Sequence, residues 1–270
     1  LETIQIAEWR LILRQNFTQW TKLADFLELD PSQRTHILRA PHFPLNLPLR
    51  LAKKIRKGNL DDPILRQFLP TVEEEKVSAG FIKDPVGDGL VRCAPKLLHK
   101  YEGRVLLVCT SACAMHCRYC FRQNFDYEVK EKEFEKELAF IAADPSINEV
   151  ILSGGDPLSL SNERLESLLR RLEAISHIKK VRFHTRFPIG IPERIDPPFV
   201  ELLSSLRFQL FIVIHANVAE EVDDDVVERL ARLRKGGAVI LNQAVLLRGV
   251  NDRVDVLQAL CHRLIDSGIL

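Results

Sequence analysis

Three cysteines stand in one short run, Cys113-Ala-Met-His-Cys117-Arg-Tyr-Cys120, spaced by three and then two residues and placed directly after the apolar stretch Val105-Leu-Leu-Val108. Thiolates at this spacing behind a buried strand point to iron rather than to a disulfide, because a [4Fe–4S] cluster takes thiolate on its irons and is ordinarily closed by four cysteines. Three thiolates hold three irons and leave the fourth open to a substrate or cofactor. A Cys3His zinc site recruiting His116 is the alternative, although structural zinc usually draws its ligands from two separated knuckles. Cys109 could be a fourth ligand, but at the end of an apolar strand it reads as a small buried hydrophobe. Cys93 and Cys261 stand alone and read as structural.

A second candidate is Ser153-Gly-Gly-Asp-Pro157. Two glycines let backbone approach a ligand without interference from Cβ, and the carboxylate of Asp156 can accept from an ammonium group. By itself such a turn is more often a tight loop than a site. Composition narrows the class. A chain of 270 residues with a formal net charge of +1 carries no polyanion signature, so nucleic acid is not an expected partner. The apolar runs are of strand length, and Leu1-Glu-Thr-Ile lacks the layout of a signal peptide, so no membrane span is expected. Six cysteines, four of them between positions 109 and 120, fit a reducing cytoplasm with metal ligation better than a secreted disulfide framework.

These groups need strands and helices to place them. Residues up to about 70 read as helical, with Ile6, Trp9, Leu11 and Ile12, then Trp20, Leu23, Phe26 and Leu27, at helix-compatible spacing. Asp30-Pro31-Ser32 restarts a helix, and Pro41 to Pro48 is a proline-punctuated connector. The turn formers Asp84-Pro-Val-Gly-Asp-Gly89 separate this region from the next. From Arg104 onward, apolar runs at Arg104–Cys109, Glu149–Ser153, Lys180–Thr185, Gln209–His215 and Ala238–Leu246 alternate with helical stretches near 131–142, 162–175, 197–206, 223–235 and 254–266. Alternation of this kind means α/β with a parallel sheet and functional groups at the strands' C-terminal ends. The cysteine loop, Gly154-Gly155-Asp156, His184-Thr185-Arg186, Asn217 and Asn242-Gln243 all fall at such ends. The charged run Lys130–Glu137 reads as a solvated helix face.

With Tyr119 just before its last cysteine, the loop resembles the signature of the radical S-adenosylmethionine (SAM) superfamily. That resemblance implies that the open iron chelates the amino and carboxylate groups of SAM. One electron from the cluster then cleaves it to methionine and a 5′-deoxyadenosyl radical. Gly154, Gly155 and Asp156 occupy the place of the superfamily's Gly-Gly-Glu-like motif, which holds the SAM amine. Within the superfamily the chain resembles the lysine 2,3-aminomutases. The pieces that carry this are Pro63-Ile-Leu-Arg-Gln-Phe-Leu-Pro70, Leu98-His-Lys-Tyr-Glu-Gly-Arg104, Cys117-Arg-Tyr-Cys-Phe-Arg122, Ser153-Gly-Gly-Asp-Pro157, His184-Thr-Arg186 and Leu241-Asn-Gln-Ala-Val-Leu-Leu-Arg-Gly-Val-Asn-Asp252, from about residue 60 to the end. Cys-Arg-Tyr-Cys-Phe-Arg and the short N-terminal region look most like the branch that supplies (R)-β-lysine for modification of elongation factor P.

The resemblance implies a partial parallel (β/α) radical-SAM barrel, TIM-like, over 91–270, with a helical N-terminal region and connector over 1–90. It implies a cytoplasmic isomerase that exchanges the α-amino group of L-lysine with a β-hydrogen, using the cluster, SAM and pyridoxal phosphate (PLP) joined to the substrate as an imine. An electron donor such as flavodoxin or ferredoxin is implied, and a homo-oligomer is compatible. Cys113, Cys117 and Cys120 would be the cluster ligands, with Tyr119 beside them. Arg122 matches the arginine that pairs with the substrate carboxylate, Arg104 one near PLP, and Gln243 a residue contacting bound cofactor. His184 and Arg186 would line the SAM site. An ordinary strand-end salt bridge or hydrogen bond is the alternative for Arg104 and Gln243, and a satisfied core histidine for His184. The relatives' PLP-anchoring lysine and ε-amine-binding acids lie C-terminal to the matched region and have no counterpart here. With Asp266-Ser-Gly-Ile-Leu270 at the end of a helix, the barrel is expected to be cut before its last strand.

Overall fold

The computed structural model of the protein describes residues 7–76, 79–127 and 133–270. A seven-stranded sheet in chain order runs through it: β1 (Arg92–Ala94), β2 (Leu97–Tyr101), β3 (Arg104–Thr110), β4 (Glu149–Gly154), β5 (Lys180–His184), β6 (Gln209–His215) and β7 (Val239–Gln243). Strands β1 to β3 pair antiparallel, and β3 to β7 are parallel. Parallel neighbours need crossovers. Here α5 (Glu135–Ala143), α6 (Asn162–Glu173), α8 (Pro197–Ser204) and α9 (Asp224–Lys235) supply them, and α10 (Val254–Asp266) follows β7. Among the described residues the sheet stays open, a partial barrel as expected. The β1–β2 hairpin is an addition, since three residues of Arg-Cys-Ala and an irregular register with β2 leave no period-2 pattern to read.

Successive strand side chains point to opposite faces. Val105, Leu107, Val150, Leu152, Val181, Phe183, Leu210, Ile212 and Ile240 form one buried face under the helices. Phe183 meets Phe199 of α8 edge-on with centroids 6.3 Å apart. Ser161, Asp196 and Asp223 cap α6, α8 and α9 by accepting from the backbone N–H three residues on. Gly236 and left-handed Gly237 close α9. By the parallel register, Arg104, Glu149, Arg182 and Phe211 fall on the opposite, concave face at the strands' beginnings, and Ser153, His184, His215 and Gln243 at their ends.

Long N-terminal helices are not what forms. The region holds α1 (Glu8–Leu13), α2 (Trp20–Phe26), α3 (Pro31–Arg34) and α4 (Leu49–Ala52), joined by irregular chain. Asp30 starts α3 through a capping box with Gln33, as its sequence implies. In the proline connector Leu45 and Leu47 are buried, and Leu47 bridges to Phe17. Trp9 packs edge-on against Phe187 of α7 (Phe187–Gly190) at 5.4 Å, so the N-terminal region and the sheet share one apolar core. Ile6 and residues 130–132 of the charged run lie outside the described residues. Within the rest of that run Glu137 is buried and accepts from the backbone N–H of Lys96 at 2.9 Å, so this face of α5 is not simply solvated. No helix among the described residues is long and apolar enough to cross a membrane.

The end of β4 lies hard against the end of β3. The N–H of Gly155 donates to the Thr110 carbonyl at 2.6 Å and that of Asp156 to the Ala112 carbonyl at 2.8 Å. A Cβ on Gly155 would stand 2.4 Å from the Ala112 oxygen and 2.7 Å from the Ser111 carbonyl carbon, both backbone atoms. The pair of glycines thus serves chain crossing beneath the cysteine loop. Gly155→Ala is expected to cost ~1–3 kcal/mol of stability, the range for overpacking, measured by urea unfolding. Unchanged stability would show that the crossing yields.

Candidate active site

The cysteine loop has little regular structure of its own and is held by the N-terminal region. Its His116 N–H donates to the Asn46 carbonyl at 2.9 Å, and its Arg118 N–H to the Gln67 carbonyl at 2.8 Å. Asn16 donates to the Ala114 carbonyl at 2.7 Å, and Asn46 to that of Cys113 at 3.4 Å. His116 stacks on Phe43 at 4.6 Å with Nδ1 on the Pro44 carbonyl. Met115 points back into the core, where a Cβ on Gly190 would stand 2.4 Å from its Cε. With the apolar Ala114 and Met115 buried, the three cysteines are left half-buried.

Burial pushes the Cys113 thiol well above its ordinary pKa, and Asp156, Cys117 and Cys120 act in the same direction. The sulfurs are therefore near enough to feel one another, and the protein alone keeps Cys113 protonated; a bound metal would ionise it. Among the described residues no three His, Cys, Asp or Glu side chains converge on a point that would suit one ion. A four-iron cluster would give each thiolate its own iron, whereas zinc would need all its ligands to close on one centre. Cys109 is buried on the helix-facing side, its thiol pushed up to about 12 by burial, as a core residue. Cys93 and Cys261 are exposed, so neither packs the core.

Behind the loop sits a buried polar network that the sequence does not announce. Arg186 donates from Nη1 to the Cys117 sulfur at 2.8 Å and to the Tyr119 hydroxyl, and from Nη2 to Gln67 Oε1 at 2.6 Å and to Glu221 Oε1. Its guanidinium lies over Phe68 at 4.7 Å and Tyr119 at 5.4 Å. The other Glu221 oxygen accepts from the N–H groups of Asn217 and Val218. Asn217, fully buried, donates to Gln67 and Tyr119 at 2.8 Å each. Arg186 therefore touches a cysteine of the loop beside which it was expected to line the SAM site. Gln67 stands inside the Pro63–Pro70 piece with no role assigned to it, and Glu221 had no motif to mark it.

Asp156 is equally tied to the protein. Its carboxylate accepts from the Leu158 N–H and Thr185 hydroxyl on one oxygen and from the Arg186 and Phe187 N–H groups on the other. Four donors fill the four lone-pair sites of a carboxylate. Burial raises its pKa while these bonds oppose the rise. Asp156 is therefore a brace between β4 and the turn after β5, and no acceptor site is left for an ammonium.

Arg122 is buried and donates from Nε to Asp88 at 2.8 Å and from Nη1 to Ser153 Oγ at 3.0 Å. Asp88 was legible only as a turn residue. Arg104 opens β3, roughly 20 Å of strand from Thr110 at 3.3 Å per residue. Its Nε lies 3.7 Å from Glu149, which also pairs with Arg182. Arg104 and Arg122 nonetheless line the two ends of one cavity of about 210 Å³, together with Asp88, Lys100 and Phe121. A larger cavity of about 670 Å³ opens on the other side of the loop beside Arg118 and Tyr119.

His184 and His215 end β5 and β6, and Gln243 is the register partner of His215 at the exposed edge. Each imidazole has a buried Nε2 with no partner. Burial, helped by Arg182 and Arg122, holds His184 down to about 4; burial, then Arg186 and His184, hold His215 down to about 3. Both are neutral at physiological pH and present an unused nitrogen beside the loop, with His215 5.3 Å from the Tyr119 ring. His215 and Tyr127, whose hydroxyl pKa is raised by burial and then by Cys113 and Cys120, were not singled out by sequence.

Residues 100–190 match a family described as a 4Fe-4S single cluster domain, a stretch that includes the whole cysteine loop. An L-lysine 2,3-aminomutase of Escherichia coli (strain K12) is 38% identical over 275 residues, spanning 100% of this chain and 80% of the relative. The chain belongs to the L-lysine 2,3-aminomutase family. The family's enzyme from Haemophilus influenzae is 39% identical over 231 residues, covering 84% of this chain and 68% of the relative. That from Clostridium subterminale is 31% identical over 268 residues, covering 96% and 63%. The cluster expected from the cysteine spacing is thus a property of the matched domain, and the fold supplies the loop that such a domain needs.

The two histidines make the apoprotein acid-labile. Their folded pKa values lie below the unfolded value of 6.5, so the folded state binds fewer protons once pH drops under 6.5, and stability falls as pH moves down toward 4. By pH 5 the loss is about 2 kcal/mol for each histidine. Urea unfolding at pH 7.5 and pH 5 measures it, and His215→Asn should remove about half of the difference. An unchanged difference in that variant would place the acid sensitivity elsewhere.

Proposed function

We infer that this chain converts L-lysine to β-lysine by a 1,2-amino shift, with a [4Fe–4S] cluster on Cys113, Cys117 and Cys120 and SAM on the open iron. The observation that carries this is the three-thiol loop in a chain of this family, beside a buried arginine and two unsatisfied imidazole nitrogens. The donor set fits the cluster, and the orphaned Nε2 atoms of His184 and His215 fit a polar ligand next to it. When bound, the cluster supplies the single electron that starts radical chemistry on SAM.

The chain's own residues bind and orient. Arg122 offers a planar fork to the lysine carboxylate, and Asp88 and Ser153 hold that fork in place. Asp156 fixes the turn after β5. Gln243 and His215 line the open edge of the mouth. PLP is fitted less well by the residues present. The cavity between Arg104 and Arg122 suits a phosphate, but Lys100, the lysine that lines it, is tied to the Val86 carbonyl at 2.6 Å, and the family's anchoring lysine has no counterpart.

Residues 1–90 act as the mould for the loop and 91–270 as the catalytic body. Six free cysteines suit a reducing cytoplasm, where flavodoxin or ferredoxin would deliver the electron. The finer assignment, to the branch that serves elongation factor P, rests on Cys117-Arg-Tyr-Cys-Phe-Arg122.

Anaerobic reconstitution should load about four irons per chain, and Cys109→Ala should keep them. SAM should then perturb the paramagnetic resonance of the reduced cluster; no change at saturating SAM would reduce the site to electron transfer or structure. With SAM, PLP, dithionite and L-lysine, chromatography should show β-lysine from the chain joined to the C-terminal segment that its relatives carry. Preferential formation of β-glutamate from glutamate would overturn the substrate. Arg122→Lys should lower the rate about 100-fold, since a point charge cannot replace a two-point fit and small misplacements are costly in this range. An unchanged rate would free Arg122 of its role.

A further inference from the structure

Of the three cysteines, Cys117 is treated differently from the other two. Its sulfur receives the buried guanidinium of Arg186 at 2.8 Å, whereas among the described residues no side chain donates to the sulfur of Cys113 or Cys120. A neutral thiol is a weak acceptor, and aiming a buried charged donor at one gains little. The same donor aimed at a thiolate makes a charge-assisted bond. Arg186 is not free to point elsewhere. Both Nη groups are committed, Nη1 to Cys117 and Tyr119 and Nη2 to Gln67 and Glu221, and the plane is clamped between Phe68 and Tyr119. Tyr119 is fixed in turn by Asn217, and Glu221 by two backbone N–H groups. A buried arginine–glutamate pair by itself adds little net stability. The arrangement instead delivers a fixed positive charge to one sulfur.

We propose that Arg186 is a positioning residue that sets the reduction potential of the cluster through its hydrogen bond to the Cys117 sulfur, with Glu221 as the counter-charge that limits the effect. This rests on Cys117 being a cluster ligand. Reduction adds one electron to the [4Fe–4S]2+ cluster and makes it [4Fe–4S]1+, with no bond made or broken. Extra negative charge spreads onto the sulfurs, so a donor there favours the reduced form; hydrogen bonds to cluster sulfurs and net charge are recognised levers on potential. Arg186 raises the potential and Glu221 lowers it. The two side chains therefore have opposite signs in the same measurement, which a purely structural role would not produce.

The test is a dithionite titration of the reconstituted chain, followed by the paramagnetic resonance of the reduced cluster, with iron counted in every sample. In Arg186→Gln the ratio of reduced to oxidised cluster at the wild-type midpoint should fall about tenfold, a shift of ~59 mV to more negative potential for a one-electron couple. Glu221→Gln should shift the midpoint upward, and Arg186→Lys should recover part of the loss. An unchanged midpoint in Arg186→Gln with its iron intact would overturn the proposal, as would shifts of the same sign in the Arg186→Gln and Glu221→Gln variants. Should Arg186→Gln fail to hold iron, the sign of the Glu221→Gln shift decides: upward supports the proposal, and no shift or a downward one refutes it. A wild-type chain that loads no iron at all would refute the cluster assignment, and the proposal with it, which the iron count separates from the other failures.

Discussion

A loop that must present three sulfurs cannot also be a helix or strand along its length, so its backbone groups have to be satisfied from outside. Here the outside is the N-terminal region. Carbonyls of Asn46 and Gln67 take N–H groups of the loop, side-chain amides of Asn16 and Asn46 take its carbonyls, and Pro44 and Phe43 hold His116. Arg118 adds a bidentate clasp on Glu74 and a bond to the Phe43 carbonyl. The irregular, proline-punctuated chain before the sheet is therefore suited to its task, because extended segments with unused backbone groups are what a loop of this kind needs to bind to. Regular helices would have spent those groups internally.

The same requirement accounts for the buried charges. Removing an ion from water costs several kcal/mol, and one left without its partner is worth about 3–5 kcal/mol of destabilisation. Each buried charge near the mouth has its answer: Arg122 with Asp88, Arg186 with Glu221, and Asp156 with four donors, three from the turn after β5 and one from its own loop. None of the three is a loose salt bridge. Each joins segments far apart in sequence, so the ends of β4, β5 and β6 and the N-terminal mould are fixed to one another before any ligand arrives.

How much of this could be read from the sequence follows from what each signal depends on. The βα alternation after Arg104 and the caps at Asp30 and Gly236-Gly237 are local patterns, and they reappear in the structure with shifts at their ends only. The cysteine spacing is local too. Gln67, Glu221 and Asp88 escaped notice because their partners lie 119, 35 and 34 residues away, and nothing in their immediate neighbours distinguishes a buried polar group from a surface one. Asp156 and Arg186 were visible as motif residues, yet their contacts were not. An ammonium acceptor and a brace require the same carboxylate, and only the four donors around it tell them apart. Arg104 was placed near PLP by resemblance, and it opens β3 at one end of the cavity that Arg122 also lines. The β1–β2 hairpin and the broken N-terminal helices were lost to short length, where tertiary contacts outweigh periodicity.

A site braced this thoroughly leaves few groups uncommitted, and those few indicate where a ligand belongs. His184 and His215 are held neutral and each keeps one buried nitrogen without a partner, at a cost of about 1–3 kcal/mol apiece for an unmade hydrogen bond. Both lie on the concave face at the strand ends, whereas the carboxylates nearby are saturated. A ligand entering the mouth therefore meets neutral imidazoles and a guanidinium, with no unpaired acid among the groups described there. This favours a carboxylate-bearing molecule over a purely cationic one at that end, because a carboxylate finds a donor in Arg122 and repels nothing that is not already paired. For an amino acid in the cavity this asymmetry would set the carboxylate toward Arg122 and the cysteine loop, with the side chain away from it along the concave face.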